Sequence, residues 1–341
     1  MRPLSELILD YFLPYEEAVW PLDIEAQWGR SSSLAVELGF GDGAYLAALA
    51  NERPDWNILG VELAWDPVQW CLKKLEKLEQ RSHVKILRAD ARLVVSRLLP
   101  ANSVDEFVIN HPDPWPKDRH HRRRLIQSDF IEDIAVSLKP GGRMTLATDH
   151  AEYAAWIEAV LGAQDHLRPV HGTPWVREIP GRLVTRYQRK AQTVGIQNHF
   201  FVWEKGKTPS PPRPTWSPDD MPNVTLTGRV DAANLFDGFR TAAHRELIDG
   251  VDILIRHEKV WKSPDRDRWL VETLVQDGPF HQHLAFIVEF RGSDEVILKL
   301  SSLGHPRVTT GVKRALFQLA RALLQRHGAL APRHSTVGAL D

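Results

Sequence analysis

The amino-acid sequence predicts an α/β protein in which a doubly wound, Rossmann-like sheet is followed by a smaller α+β domain. Three observations carry that expectation. The apolar run Leu34-Ala35-Val36-Glu37-Leu38 reads as a buried strand and runs through Gly39-Phe40-Gly41-Asp42-Gly43 into the helix-forming residues 44–50. Two more short apolar runs, 58–62 and 84–87, follow at βαβ spacing and end at Glu62 and at Asp90-Ala91. A Pro-rich stretch then separates this part from a series of alternating apolar and polar runs. The expected organisation is an N-terminal extension (1–30), a catalytic α/β domain (31–206), a linker (207–222), a C-terminal α+β domain (223–330) and a loose tail (331–341).

The first turn carries the chemistry. Glycines allow a tight turn and let the backbone approach a ligand closely. Their spacing here is G-x-G-x-G, at Gly39, Gly41 and Gly43, and not the G-x-G-x-x-G of dinucleotide enzymes. Glu62 stands about 20 residues further on, where ribose hydroxyls are held. Glu37, Glu62 and Asp90, each at a strand end, suit S-adenosylmethionine: carboxylates hold the ribose and the adenine amino group and sit near the sulfonium, with no pyrophosphate cradle. Helix capping would explain any one of these acids but explains all three together poorly.

A second stretch is denser still: His111-Pro112-Asp113-Pro114-Trp115-Pro116-Lys117-Asp118, then Arg119-His120-His121-Arg122-Arg123-Arg124. Proline fixes φ and removes a backbone donor, so Asp113 and Trp115 are held in one presentation. A basic block with His and Trp beside it suits a phosphate-bearing ligand with a stackable base. Lys117 and Arg119 to Arg124 are the candidate phosphate and RNA contacts, Asp113 the candidate stabiliser of charge in the reaction, and Trp115 either a base-stacking platform or a wedge for the loop.

On these residues the chain resembles the bacterial tRNA (guanine-N7)-methyltransferases over roughly residues 34–205. The carriers are Val36-Glu37-Leu38-Gly39-Phe40-Gly41-Asp42-Gly43, Gly60-Val61-Glu62, Asp90-Ala91, Pro112-Asp113-Pro114-Trp115-Pro116-Lys117 and the basic block after it. Leu138-Lys139-Pro140-Gly141-Gly142, Ala147-Thr148-Asp149 and Thr185-Arg186-Tyr187-Gln188 complete the set. The glycine motif alone marks only a class I methyltransferase; the proline-rich motif is far more specific. The resemblance implies a class I S-adenosylmethionine-dependent fold and methyl transfer to N7 of a guanine in tRNA, in the variable loop. It implies that Glu37, Glu62, Asp90 and Asp113 bind the donor. It also implies that Lys117, Asp149, Thr185, Arg186, Tyr187 and Gln188 meet the substrate. The chain departs from the pattern at Gln188, where Glu is usual, at Asn110 and His111, and in the segment 63–67 after Glu62. A shifted RNA or nucleoside target and a non-catalytic tRNA-binding subunit are the alternatives, and the intact acids favour an enzyme.

Composition fits a cytoplasmic protein of about two domains. The single cysteine, Cys71, excludes an internal disulfide and reads as a small buried apolar group. No apolar run reaches the roughly 18 residues of a membrane span, and the N-terminus does not read as a signal peptide. The net charge is −1, so positive charge is local, in 117–124 and at Arg177, Arg182, Arg186, Arg189 and Lys190. His281 and His283 alternate on an expected strand without further ligands at zinc-like spacing, so no metal is expected. In the last third, strands are expected at 224–227, 251–261, 269–276, 283–290 and 295–300, a mostly helical stretch at 232–247 and an amphipathic helix at 312–327.

Overall fold

The computed structural model describes residues 2–340 apart from 14, 16–17, 79–81, 185–195, 214, 216–221, 240–242, 293 and 302–305. The chain divides into two compact units near residue 216.

The first unit is built on a seven-stranded sheet: β1 (Leu34–Leu38), β2 (Asn57–Val61), β3 (Val84–Leu87), β4 (Val104–Asn110), β5 (Leu138–Thr148), β6 (Leu167–Pro169) and β7 (His199–Lys205). Their order is β3-β2-β1-β4-β5-β7-β6. The first five run parallel, and β7 lies antiparallel between β5 and β6. Every residue of β1 and β2 is buried, which is why they read as unbroken apolar runs: crossover helices cover both faces of a parallel sheet. The strand order reverses between β1 and β4. Ligands of open α/β sheets bind outside the carboxyl ends of the strands at such a switch point.

Of residues 1–30, expected to be an extension, the described residues 2–13, 15 and 19–30 belong to this unit. Helix α1 (Leu4–Tyr11) buries Leu7 and Tyr11 in one apolar cluster with Leu46, Val68, Leu72 and Ile86. The backbone of Leu13 donates to Ile86 O at 3.0 Å and that of Leu22 to Leu98 O at 2.8 Å. A short α2 (Ile24–Trp28) leads into β1. Helices α3 (Ala44–Glu52) and α4 (Trp65–Leu75) share the same cluster, and Cys71 is buried within it as expected. Gly43 (φ +71°), just before α3, packs tightly against α4: a Cβ there would lie 2.4 Å from Cys71 Sγ.

The Pro-rich residues expected to form an extended, semi-rigid linker are anchored to this unit at Ser210 and Arg213. The Ser210 amide donates to Asn102 Oδ1 at 2.8 Å. The Arg213 guanidinium reaches Val95 O, Ser96 O, Asp133 Oδ1 and Ser137 Oγ, at 2.8–3.2 Å.

The second unit is an antiparallel sheet of β8 (Asn223–Thr227), β9 (Ala243–Ile248), β10 (Val251–Lys262), β11 (Arg268–Asp277), β12 (Phe280–Arg291), β13 (Glu295–Leu300) and β14 (Ala331–Ser335). Its order is β14-β8-β13-β12-β11-β10-β9. The helix Thr310–Arg326 buries Val312, Leu316, Leu319 and Leu323 in a core that also holds Val271, Val275 and Phe286. Alternation in β11, with Trp269, Val271, Thr273 and Val275 buried, matches the expected period of two.

Two expectations are corrected here. The stretch 232–247 is not mostly helical: among its described residues it holds a single turn of 3₁₀ helix, Ala232–Asn234, followed by β9. Its strand is set by the two-residue turn Asp249-Gly250 (φ +50° and +78°), which pairs Ile248 with Val251; Asp-Gly is a strong hairpin signal. Nor is the tail loose, because β14 pairs with β8 and Leu340 is buried. Its pairing partner lies about 100 residues upstream, so no local signal marks it.

Candidate active site

Two cavities open at the carboxyl edge of the first sheet, at the β1/β4 switch point. One, of about 270 Å³, has Glu37, Gly39, Gly41, Tyr45, Trp70 and Asn110 among its lining residues. The other, of about 340 Å³, is lined by Gly39, Glu62, Asn110, His111, Asp113 and Trp115 among others. Gly39 and Asn110 belong to both walls. The glycine turn makes this possible: Gly39, Gly41 and Gly43 all have positive φ, between +54° and +72°, which side-chain-bearing residues adopt only with strain.

Glu37 ends up 1% exposed, carried inward by a strand buried on both faces. Burial pushes its carboxyl up to about 8, against the opposing pull of the Asn110 hydrogen bond and the Arg182 charge. Asn110 Nδ2 donates to Glu37 Oε1 at 3.0 Å. The other oxygen, Oε2, is buried with no hydrogen-bond partner among the described residues. A buried carboxylate with one vacant oxygen on a cavity beside a glycine turn fits a ligand that brings its own donors, as the hydroxyls and cationic groups of S-adenosylmethionine do. Glu62 is held in place by backbone: Oε2 accepts from Gly41 N (3.0 Å), Oε1 from Leu63 N (2.8 Å) and Ala64 N (3.0 Å). Asp90 caps the short helix Ala91–Leu93, accepting from Arg92 N at 2.7 Å, and lines neither cavity.

The proline-rich loop is strained at two non-glycine residues, His111 (φ +49°) and Trp115 (φ +40°), which bracket Asp113. His111 Nδ1 lies 3.5 Å from Asp149 Oδ1. Burial lowers the His111 pKa, while Asp149 pulls it back up. Asp113 is exposed on the second cavity. Arg123 stands over the Trp115 ring at 5.0 Å, and His120 meets the same ring edge-on at 5.8 Å. Lys117, Arg119, Arg122 and Arg123 are exposed, and His120 and His121 half-buried.

Arg124 leaves the set of expected RNA contacts. It is 0% exposed. Its Nε donates to Pro114 O at 2.8 Å, its Nη2 to both Glu152 oxygens at 2.9 and 2.7 Å, and its guanidinium lies 4.9–5.1 Å from the Trp156 and Tyr153 rings. It clamps the loop from behind. Arg182, expected in a polyanion-facing patch, is likewise turned inward, between the Tyr45 and Phe200 rings. Thr185, Arg186, Tyr187 and Gln188 lie outside the described residues. In the second unit, Arg245 pairs with Asp252, Arg256 with Glu258 and Lys262 with Asp267. Glu258, Glu272 and His283 bring ligand atoms within 4.8 Å of one another, but Arg256 already engages Glu258. No helix among the described residues is long and apolar enough to cross a membrane.

Two residues at the candidate site are not marked by the sequence: Asn110, which bonds Glu37, and Arg182, which bonds Asn110. Nothing local signals that pair, since 72 residues separate them.

The sheet order and the glycine-turn site define a class I S-adenosylmethionine-dependent methyltransferase. A family described as putative methyltransferases matches residues 31–201, half of the chain. The tRNA (guanine-N(7)-)-methyltransferase of Cutibacterium acnes is 37% identical over 54% of this chain and 67% of its own length. The enzyme of that name from Alkalilimnicola ehrlichii is 34% identical over 61% of this chain and 87% of its own. The one from Thermus thermophilus is 29% identical over 299 residues, 87% of this chain and 91% of its own, a span that must run into the second unit. The chain belongs to the tRNA (guanine-N7)-methyltransferase family.

Proposed function

We propose that this protein transfers a methyl group from S-adenosylmethionine to N7 of a guanine in tRNA, in the cytoplasm, with the variable-loop guanine as the expected target. The observation that carries the reading is the pair of cavities sharing Gly39 and Asn110: a buried, half-satisfied carboxylate faces one, and an exposed carboxylate beside a strained aromatic loop faces the other. Family membership supports the acceptor.

S-adenosylmethionine supplies an activated methyl on a sulfonium, so the work left to the protein is positioning. Glu37 and Glu62, with the glycine-turn backbone, would hold the donor. Guanine N7 carries a lone pair in the neutral base, so no side chain need remove a proton. Methylation makes the ring cationic, and the Asp113 carboxylate is suited to stabilise that developing charge. Lys117, Arg119, Arg122 and Arg123 would hold phosphates, and the Trp115–Arg123 stack is suited to an unstacked base. Asp149 and the 185–188 block are the remaining candidates for base contacts.

Incubation with methyl-labelled S-adenosylmethionine and unmodified total tRNA, followed by mapping of the modified nucleoside, tests this. Label at guanine N7 is the expected result; label at another position, or none, overturns it.

A further inference from the structure

Pro112, Pro114 and Pro116 carry no N–H, so the loop 111–117 has fewer amides than carbonyls with which to close its own turns. Yet Trp115 is held at φ +40°, a conformation that a non-glycine residue keeps only where its surroundings impose it. The imposing group is Arg124. Its Nε donates to Pro114 O at 2.8 Å and its Nη2 reaches Trp115 O at 3.5 Å. These are the carbonyls on either side of the strained residue, so one planar guanidinium holds both peptide planes that flank Trp115. Asp113 stands one residue before this grip, joined to it through the fixed φ of Pro114. Asp113 and Trp115 both line the second cavity. Arg124 is itself held from several directions. Nη2 donates to both Glu152 oxygens, in the first turn of the helix Ala151–Gly162, and the Tyr153 and Trp156 rings of that helix lie against the guanidinium. Arg92, whose amide is capped by Asp90, donates through Nη2 to Arg124 O at 2.6 Å. The residue therefore ties together the segments that follow β3, β4 and β5. A buried ion pair is weak evidence of a stabilising role, because apolar residues of similar volume often do as well. The bonds to two loop carbonyls are what an apolar residue could not supply.

We propose that Arg124 is a positioning residue for methyl transfer: by fixing the Pro114–Trp115 backbone it sets where Asp113 stands in the second cavity, without itself touching donor or acceptor. The proposal rests on the reading of Asp113 as the carboxylate that faces the developing charge. Arg124 is fully buried and lines neither cavity, so its effect on the reaction passes through the loop. Without the grip, Trp115 relaxes toward an ordinary negative φ and carries Asp113 with it. A displacement of about 1 Å in a catalytic group can cost about a hundredfold in rate.

The test uses the full chain with S-adenosylmethionine and unmodified tRNA, and titrates donor sites with S-adenosylhomocysteine so that turnover is expressed per folded site. Arg124→Lys keeps the charge but cannot span two carbonyls. Its turnover at saturating substrates should fall by about a hundredfold. The KM for tRNA and the affinity for S-adenosylhomocysteine should stay within about twofold of wild type, as for an interaction that acts on the transition state alone. A role in folding alone would instead lose donor sites in step with turnover. Glu152→Gln weakens the hold on the guanidinium at a half-exposed position. It should show the same pattern at about a tenfold loss, and it decides the matter if Arg124→Lys does not fold. The double variant Arg124→Lys with Asp113→Asn should be no slower than Asp113→Asn alone, because a misplaced carboxylate and an absent one fail alike. Losses that multiply in the double variant overturn the proposal, as does turnover per site near wild type in Arg124→Lys or, in its place, Glu152→Gln. Turnover near wild type in Asp113→Asn alone removes the role given to Asp113 and this proposal with it. Label on a base other than guanine N7, with the variant pattern intact, overturns the assigned target and leaves Arg124 as the positioning residue.

Discussion

Two buried ionisable groups at opposite edges of the first sheet are treated in opposite ways. At the amino edge, Lys205 is 4% exposed, and its ammonium donates to Asn102 Oδ1 (2.9 Å), Leu138 O (2.7 Å) and Ser210 Oγ (2.9 Å). All three donors of the group are used. At the carboxyl edge Glu37 is 1% exposed with one oxygen bonded and the other without a partner among the described residues. Burial is the first cause of both pKa shifts, lowering that of Lys205 and raising that of Glu37. Leaving a buried polar group unpaired costs about 1–3 kcal/mol. The fold closes its hydrogen bonds where it holds strands and linker together, and bears an open one on the wall of the cavity proposed to take the donor.

The comparison breaks most sharply if the two edges are exchanged in effect. Lys205→Met takes the ammonium donor from Leu138 O, Asn102 Oδ1 and Ser210 Oγ and should cost about 3–5 kcal/mol of stability, read as a lower denaturation midpoint. Truncation after residue 207 should reproduce part of that loss, since it removes Ser210 and Arg213. Glu37→Gln should leave the unliganded protein as stable or more so, and should weaken S-adenosylmethionine binding by about a hundredfold, since hydrogen bonds to charged groups are the strong ones. Equal stability losses in the two variants would erase the distinction.

Asp113→Asn comes next. It keeps the shape of the side chain and removes its charge, so turnover at saturating donor should drop by about a hundredfold, with the fold unchanged. Turnover near wild type would show that the exposed carboxylate does not face the developing charge.

The basic block offers a sharper version of the same contrast. Arg124→Ala should destabilise the protein by about 2–4 kcal/mol, because its buried hydrogen bonds and ring stacking disappear. Replacing Arg122 and Arg123 should leave stability within about 0.5 kcal/mol. The same replacements should flatten the salt dependence of tRNA binding, by up to about one unit for each phosphate no longer neutralised. A stable Arg124→Ala with a flattened salt slope would return Arg124 to the RNA surface.

The smallest effect is a pH dependence. The folded protein keeps a proton on Glu37 up to about 8, whereas a free carboxyl loses it near 4.5. The folded pKa is raised, so this contribution to stability is complete below about pH 4.5 and is lost as pH rises through about 8. Thermal midpoints of the unliganded protein should decline across that window, and Glu37→Gln should flatten the decline. Donor binding to the ionised form should release a proton near pH 7, measurable by calorimetry in buffers of different ionisation enthalpy.

Much of the candidate site is legible in the sequence because it lies at strand ends. β1, β2 and β3 each finish at or near a carboxylate, and both glycine turn and proline loop are local devices whose backbone demands show in residue type. The strained φ values at His111 and Trp115 bracket the loop that the sequence singled out. Identity of residue type did not reveal direction. Arg122, Arg123 and Arg124 are alike as letters, yet two face solvent and the third is sealed behind the loop by Glu152 on a later helix. In the second unit, alternation marks β10 to β13, while the hairpin signal Asp249-Gly250 adjoins the stretch 232–247 that is expected to be mostly helical.

The sequence alone determined the α/β class, the strand–glycine–helix opening, the acids at the strand ends, the proline-rich loop and the break into two units, because each rests on periodicity or on a short-range backbone constraint. Only the tertiary structure decided that Arg124 clamps the loop instead of facing outward, that Arg213 anchors the linker, that 331–335 is a strand, and that Arg182, Asn110 and Glu37 form one chain of hydrogen bonds. Those outcomes depend on which distant side chain supplies the missing partner of a buried polar group. That choice is made by packing across tens of residues and leaves no period in the sequence.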